Sequence, residues 1–421
     1  MAAGMYSMRI SLTSPVRKVA LLGGAVCVGL IFLLLSIQQF AGWRLQSTPT
    51  LAHLELGSRI DPLDAYYDRK IGEHYLQDNK PVQAAPYFEK ALRRDPYSAQ
   101  LWLELAAASE VGGDYQEQRA AIREALARAP RDVVVQWKAA SLFFFSGDLS
   151  SGYPLMGSVA NNPAFRVQAI RSIFNVSGGD VATTLGVLPA TAEVRLGFLN
   201  WLLDQQKFQE ADQVWPSLIR APGSFPVDKT FRYFDSLIER HEAVKAASAW
   251  NVLCGSRVEL RKQQSPGNLI LNGGFENPFL SGGFGWRVRR VSGVTAGEQS
   301  SVIHGENQAL EFEIDAPTLQ DSGIYQMVPV EPNSRYELAA FIRTEELNSA
   351  NGIRLMVTDY YSGAILMSTE EVLGSTGWRE YSSVFSTAAD TELVKINVGR
   401  TPDAGIIRGR VWLDDVRLET K

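Results

Sequence analysis

Between Val19 and Trp43 the chain carries no charged residue, and Val19 to Ile37 is almost wholly apolar. A helix rises about 1.5 Å per residue, so roughly 20 such residues span a hydrocarbon core about 30 Å thick. No water-soluble core of ordinary size would use such a run as one exposed element, so the chain is expected to be anchored in a bilayer through residues 19–43. Arg9, Arg17 and Lys18 precede the run, and Arg44 is the nearest charge after it. The positive-inside rule then puts residues 1–18 in the cytoplasm and the bulk of the chain in the periplasm or another extracytoplasmic space. That is a single-pass inner-membrane topology, with Trp43 at the interface. A cleaved signal peptide is the competing expectation. It calls for a shorter apolar run ending in small residues, and Gln38-Gln39-Phe40-Ala41 offers a poor cleavage site. A lipoprotein reading fails because Gly24-Ala25-Val26 before Cys27 is not a lipobox.

The whole chain, 421 residues with 45% hydrophobic and 21% charged content, suits two or three globular domains. A net charge of -5 argues against a nucleic-acid binder. Two distant cysteines, Cys27 and Cys254, and four histidines give neither a disulfide framework nor transition-metal spacing.

Residues 44–64 read as a linker, after which a period of 34 appears. Ala91 and Ala125, Pro96 and Pro130, Phe88 and Ile122, and the pairs Gly113-Asp114 and Gly147-Asp148 all recur at that spacing. With helix-turn-helix patterning, this resembles the tetratricopeptide repeat family. Ile71-Gly72, Tyr75, Ala84, Phe88, Ala91 and Pro96 match the first repeat; Trp102, Leu105, Ala106, Ile122, Ala125 and Pro130 match the second. Gln118 stands where the family has a small residue. The expectation is an all-α solenoid over 65–262 whose later members are irregular, with residues 175–192 interrupting the period through Gly and Pro. Such arrays imply a groove for partner proteins. The aromatic residues here fall at core spacing.

After the turn-rich segment Lys262–Gly267 the texture changes to period two. Leu310, Phe312 and Ile314 alternate with Glu311, Glu313 and Asp315; Ile353, Leu355 and Val357 alternate with Arg354, Met356 and Thr358; Val394, Ile396 and Val398 form a third apolar set. Half-buried antiparallel strands follow, hence an all-β jelly-roll sandwich over 268–421. Several stretches, in order, resemble carbohydrate-binding modules of families 4, 9 and 22. They are Asn268 to Glu276, Gly285-Trp286, Tyr325 to Val328, Pro332 to Leu338, Gly377 to Tyr381 and Val411 to Leu418. The resemblance implies a polysaccharide partner and a structural Ca²⁺ tying the chain ends of the module through Glu276 and Asp415. Hard oxygen ligands suit that ion. Sugar rings stack on aromatic faces while polar groups meet their hydroxyls. Trp286, Gln326, Arg354, Tyr360 and Tyr361 are the expected contacts, with Phe275, Trp378 and Trp412 expected in the core.

No phosphate-binding loop, dinucleotide fingerprint or nucleophile elbow occurs. Glu311, Glu313 and Asp315 share a solvent-facing stripe rather than flanking a bond as glycosidase carboxylates do. The expected function is therefore non-catalytic: an envelope protein pairing a protein-binding scaffold with a glycan-binding module, in exopolysaccharide assembly, export or attachment. The alternative is a purely structural scaffold whose sandwich contacts protein and not sugar.

Overall fold

A computed structural model describes residues 15–46, 50–400 and 405–421. The tail 1–14 expected in the cytoplasm lies outside them. The chain divides into two compact units, Met1–Pro189 and Ala190–Lys421.

In the first unit, α1 (Pro15–Gln46) contains a stretch, Lys18–Gln46, long and apolar enough to cross a membrane. Its window is fully exposed, consistent with lipid as its solvent or with a signal sequence. The segment expected as a linker is largely helical: α1 runs to Gln46 and α2 covers Leu51–Ile60. Tyr67 packs against both α1 and α2. Its hydroxyl donates to the Gly42 carbonyl (3.1 Å), and its ring lies so close to Gly57 that a Cβ there would come within 2.2 Å.

The helical pairs follow: α3 (Ala65–Gln77) with α4 (Pro81–Arg94), α5 (Ala99–Gly112) with α6 (Tyr115–Arg128), and α7 (Val133–Phe145) with α8 (Leu149–Val159). The period of 34 has a local cause. Asp64, Ser98 and Asp132, 34 apart, cap the first helix of each pair by accepting the N–H of Tyr66, Leu101 and Val134. Asp114 and Asp148 cap the second helices in the same way. Gly113 and Gly147 precede them in the left-handed conformation (φ 79° and 74°) that lets the first helix end. Ala84, Ala91, Ala106 and Ala125 are fully buried, as is Phe88. A Cβ on Gly72 would meet the Phe88 ring at 2.8 Å, so the glycine is the socket for that ring. Gln118, where a small residue was expected, is fully buried and donates to the Leu142 carbonyl (3.1 Å). Shorter helices α9 (Arg166–Val176) and α10 (Val181–Val187) complete the unit.

The second unit opens with α11 (Ala192–Asp204), α12 (Phe208–Arg220), α13 (Phe231–Glu239), α14 (Ala243–Ser256) and the single turn α15 (Val258–Arg261). A two-sheet sandwich follows. Its strands are β1 (Arg287–Val288), β2 (Val294–Gln299), β3 (Ala309–Ala316), β4 (Asp321–Pro329), β5 (Arg335–Asn348), β6 (Arg354–Asp359), β7 (Ile365–Ser368), β8 (Gly374–Ser386), β9 (Leu393–Gly399) and β10 (Ile407–Thr420). One sheet has the order β1-β4-β9-β6-β7, the other β2-β3-β10-β5-β8, and all pairings are antiparallel. The three apolar sets of alternating residues all point into the core, as period two requires.

The opening and closing segments of the sandwich lie side by side. Leu269 N–H donates to the Leu418 carbonyl (2.9 Å), and Asn268 both donates to the Val416 carbonyl and accepts from Leu418 N–H. A Cβ on Gly273 would come within 2.1 Å of the Val416 carbonyl oxygen, so only glycine permits this approach.

The helices α13 and α14 pack on the sandwich within the same unit. Gly282 and Gly283 receive the rings of Phe231 and Trp250, and Phe284 meets Trp250 edge to face. Arg287 pairs with Asp235 at 2.5 Å.

Candidate functional site

The five expected sugar contacts do not converge, and two are core residues. Trp286 is 2% exposed, and its indole N–H donates to the Asn272 carbonyl (3.1 Å). Gln326 points inward from β4. Its amide pairs with the backbone of Leu271 through both atoms, at 2.9 Å each, acting as a surrogate strand partner. Neither presents a face to a ligand, and both expectations are corrected by burial. Arg354 lies on the outward face of β6, tied to the Thr369 carbonyl (2.7 Å) and near Glu371 (3.7 Å). Tyr360 is 38% exposed on the turn after β6. Tyr361 is engaged elsewhere: its hydroxyl donates to the Ile238 carbonyl (3.1 Å) and its ring stacks on His241 at 4.2 Å. Burial pushes its phenol up to about 12.

A different set of residues forms the cleft on this sheet. Because Val394, Ile396 and Val398 point inward, Lys395 and Asn397 must point outward. The same parity on β6 turns Met356 and Thr358 outward. Register brings them together: Asn397 lies opposite Met356 on one side and Tyr325 on the other, and Lys395 opposite Thr358 and Met327. Around this floor Arg289, Gln320, Asp321, Ile365 and Arg400 raise the walls of a cleft of about 560 Å³. Gly399 allows the close crossing at one end, since a Cβ there would be 2.5 Å from the Gln320 carbonyl oxygen.

The cleft's polar groups are in two states. Asp321 is held by Lys395 and by Arg289 (3.5 Å), and accepts Gly323 N–H at 2.6 Å. Arg400 is 1% exposed and donates to the Asn351 and Gly405 carbonyls and to Ser349. Asn397 is different. The residue is only 6% exposed, but its amide opens onto the cleft, and no side-chain hydrogen bond holds it among the described residues.

Glu276 and Asp415, expected around a calcium ion, lie in a carboxylate clasp. Glu276 accepts the N–H groups of Asn307 (2.7 Å) and Gln308 (2.9 Å) and the Asn307 amide (3.0 Å). Burial alone would raise its pKa, but these donors outweigh it and hold the carboxyl below its usual range. The buried Asp414 accepts His304 and Gly305 N–H, both at 3.1 Å, and desolvation raises its pKa despite them. Asp415 meets His304 Nδ1 at 2.7 Å, and that ring stacks on Phe341 at 3.6 Å. Among the described residues, no group of three or more His, Cys, Asp or Glu is placed to hold a metal. As arranged, Glu276 and Asp415 both engage the loop 304–308. Phe275 and Trp412 are buried as expected, whereas Trp378 is only half-buried, edge-on to His304.

No family model matches this chain, and no curated protein matches it. Solved structures with partial likeness fall into two groups. A module described as "CBM4 structure and function" is 14% identical, covering 36% of this chain and 99% of its own, with a TM-score of 0.29. TmCBM61, solved in complex with beta-1,4-galactotriose, is 23% identical over 37% and 99%, with a TM-score of 0.27. Pseudomonas aeruginosa pilF is 18% identical over 45% and 90%, with a TM-score of 0.27. Likenesses of this size carry no argument about ligands.

Proposed function

We propose that this chain is a non-catalytic, membrane-anchored envelope protein whose sandwich cleft holds polysaccharide and whose helical pairs hold partner proteins. Residues 19–43 cross the bilayer in this reading, and the charge bias of Arg17 and Lys18 against Arg44 places the bulk outside the cytoplasm. The observation that carries the glycan assignment is Asn397, whose amide opens onto the cleft with no side-chain hydrogen bond among the described residues. An amide offers both donor and acceptor, which is what a sugar hydroxyl requires. Met356 and Ile365 supply apolar surface for the ring's C–H face, and the volume suits small-molecule recognition. The non-catalytic assignment is supported by the lining, which among the described residues has one carboxylate, Asp321; glycoside hydrolysis ordinarily takes two flanking the bond.

The test is a glycan array probed with the full chain in detergent. Binding to a defined polysaccharide, weakened about tenfold or more by Asn397→Ala with the thermal midpoint retained, is expected, one lost hydrogen-bonded contact in a desolvated site being of that order. A chain that captures protein partners from the envelope but no polysaccharide would instead be the purely structural scaffold.

A further inference from the structure

The cleft's charge is out of keeping with the chain's. The whole sequence has a net charge of -5, yet among the described residues Arg289, Lys395 and Arg400 line the cleft with one carboxylate, Asp321. Asp321 serves two cations at once. Lys395 takes one of its oxygens, and Arg289 approaches the other only to 3.5 Å. One carboxylate cannot neutralise both, so even with Arg400 left out the group retains a surplus positive charge. Arg289 is 58% exposed at its side chain, and Lys395 28%, so both can turn toward a ligand while Asp321, at 12%, stays fixed. Lys395 stands on the outward face next to Asn397, the residue that supplies the neutral hydrogen-bonding group. Cleft walls of low dielectric strengthen an ionic contact there relative to one on open surface.

We infer that the cleft is specific for acidic polysaccharide, with Lys395 and Arg289 meeting an anionic substituent while Asn397 meets a ring hydroxyl of the same or the next sugar. This rests on the reading of the cleft as a polysaccharide site and adds the ligand's charge to it. A neutral glycan would leave the surplus cation desolvated without compensation; an anionic group would complete a four-membered arrangement of two cations and two anions around the cleft wall. The anion can be a carboxylate of a uronic acid or an ester group such as sulfate, and paired polymers separate the two.

The experiment is affinity electrophoresis of the full chain in detergent, through gels containing polygalacturonate or its fully methyl-esterified form, and dextran sulfate or dextran. Retention by at least one anionic polymer and not by its neutral partner is expected, weakening as salt is raised. Arg289→Gln and Lys395→Gln should each reduce it about three- to tenfold, as loss of one charge-assisted contact does. Asp321→Asn should strengthen it by removing the competing carboxylate. Arg408→Gln, on the opposite sheet, should leave it unchanged, and an equal loss there would show non-specific polyelectrolyte attraction and overturn the inference. Equal retention by a charged polymer and its neutral partner would overturn the charge assignment while leaving the glycan reading intact. Retention by no polymer, charged or neutral, and by no glycan on the array, would overturn both.

Discussion

Glu276 shows how a residue singled out by a motif can be held by the chain's own donors. The run Asn268 to Glu276 marks the start of the sandwich, and its resemblance implied a metal ligand. In the fold its carboxylate accepts three hydrogen bonds from Asn307 and Gln308, which favour its ionised form. A carboxyl with a folded pKa below its unfolded value contributes stability above the unfolded pKa and loses it as pH falls through the folded one. Glu276→Gln should therefore lower the neutral-pH thermal stability by about 1 kcal/mol, since charged hydrogen bonds become neutral ones. It should also flatten the fall in stability below the ordinary glutamate value of 4.5. Asp414, whose pKa is raised, acts with the opposite sign and should remain as the residual dependence. Thermal melts from pH 7 to pH 3 measure both. In the same melts, EDTA should leave the midpoint unchanged; a midpoint that rises with added Ca²⁺ would restore the ion to the clasp. Trp286 and Gln326 were misread for a related reason: motif position identifies that a residue matters, while only the register says which way it faces. Asn397 and Lys395 were legible by parity, because the apolar set Val394, Ile396 and Val398 had already been recognised. Neither residue belongs to a recognised motif, so nothing drew attention to them.

At the scale of elements, the helical pairs were legible because small residues, caps and glycine turns recur every 34 positions and each has a local cause. What the period did not carry is the buried ionic contact that joins α2, α3 and α4. Asp68, fully buried, accepts from Ser58 on α2 (2.9 Å) and pairs with Lys90 (2.9 Å) and Arg94 on α4. The partners lie ten, 22 and 26 positions away, and no repeat requires them. Removing Asp68 strands the largely buried Arg94, while Lys90, 41% exposed at its side chain, can turn to water, so the cost is at most about 3–5 kcal/mol. Asp68→Ala should accordingly release α2 and lower the first unit's unfolding midpoint in urea. Hydrogen exchange at α2 and α4 should rise before exchange at α7. If α2 keeps wild-type protection in that variant, Tyr67 rather than Asp68 is what docks it. The segment 44–64 was expected as a linker because its composition is mixed. Leu54 and Gly57 find partners only once Tyr67 is in place, a dependence that lies outside any local window.

At the scale of the molecule, texture separates helices from strands at Lys262–Gly267, and a change of secondary structure is easily taken for a change of folding unit. The contacts divide the chain elsewhere, after Pro189, in the Gly- and Pro-bearing stretch that interrupts the period of 34. The physical reason lies in the sandwich's own loop. Gly282 and Gly283 have no side chains, and the space beside them is filled by Phe231 and Trp250, with Phe234 and Phe284 edge-on to the indole. Burying a large aromatic side chain is worth about 1.5–3 kcal/mol, more where aromatic pairs meet edge to face. A fragment beginning at Asn268 would lose these rings and the Arg287–Asp235 pair, and would expose Phe284 to water. A fragment beginning at Ala190 keeps them. The expectation is that 190–421 melts cooperatively, whereas 268–421 is less stable by several kcal/mol and binds a hydrophobic dye. Parallel thermal melts of the two fragments decide it. Equal midpoints would make the strand texture, rather than the helix contacts, the true boundary. The same result bears on the cleft. Tyr361, which the strand pattern offered as a sugar contact, is held by Ile238 and His241, so the helices that complete the sandwich's core also decide which of its tyrosines remain available.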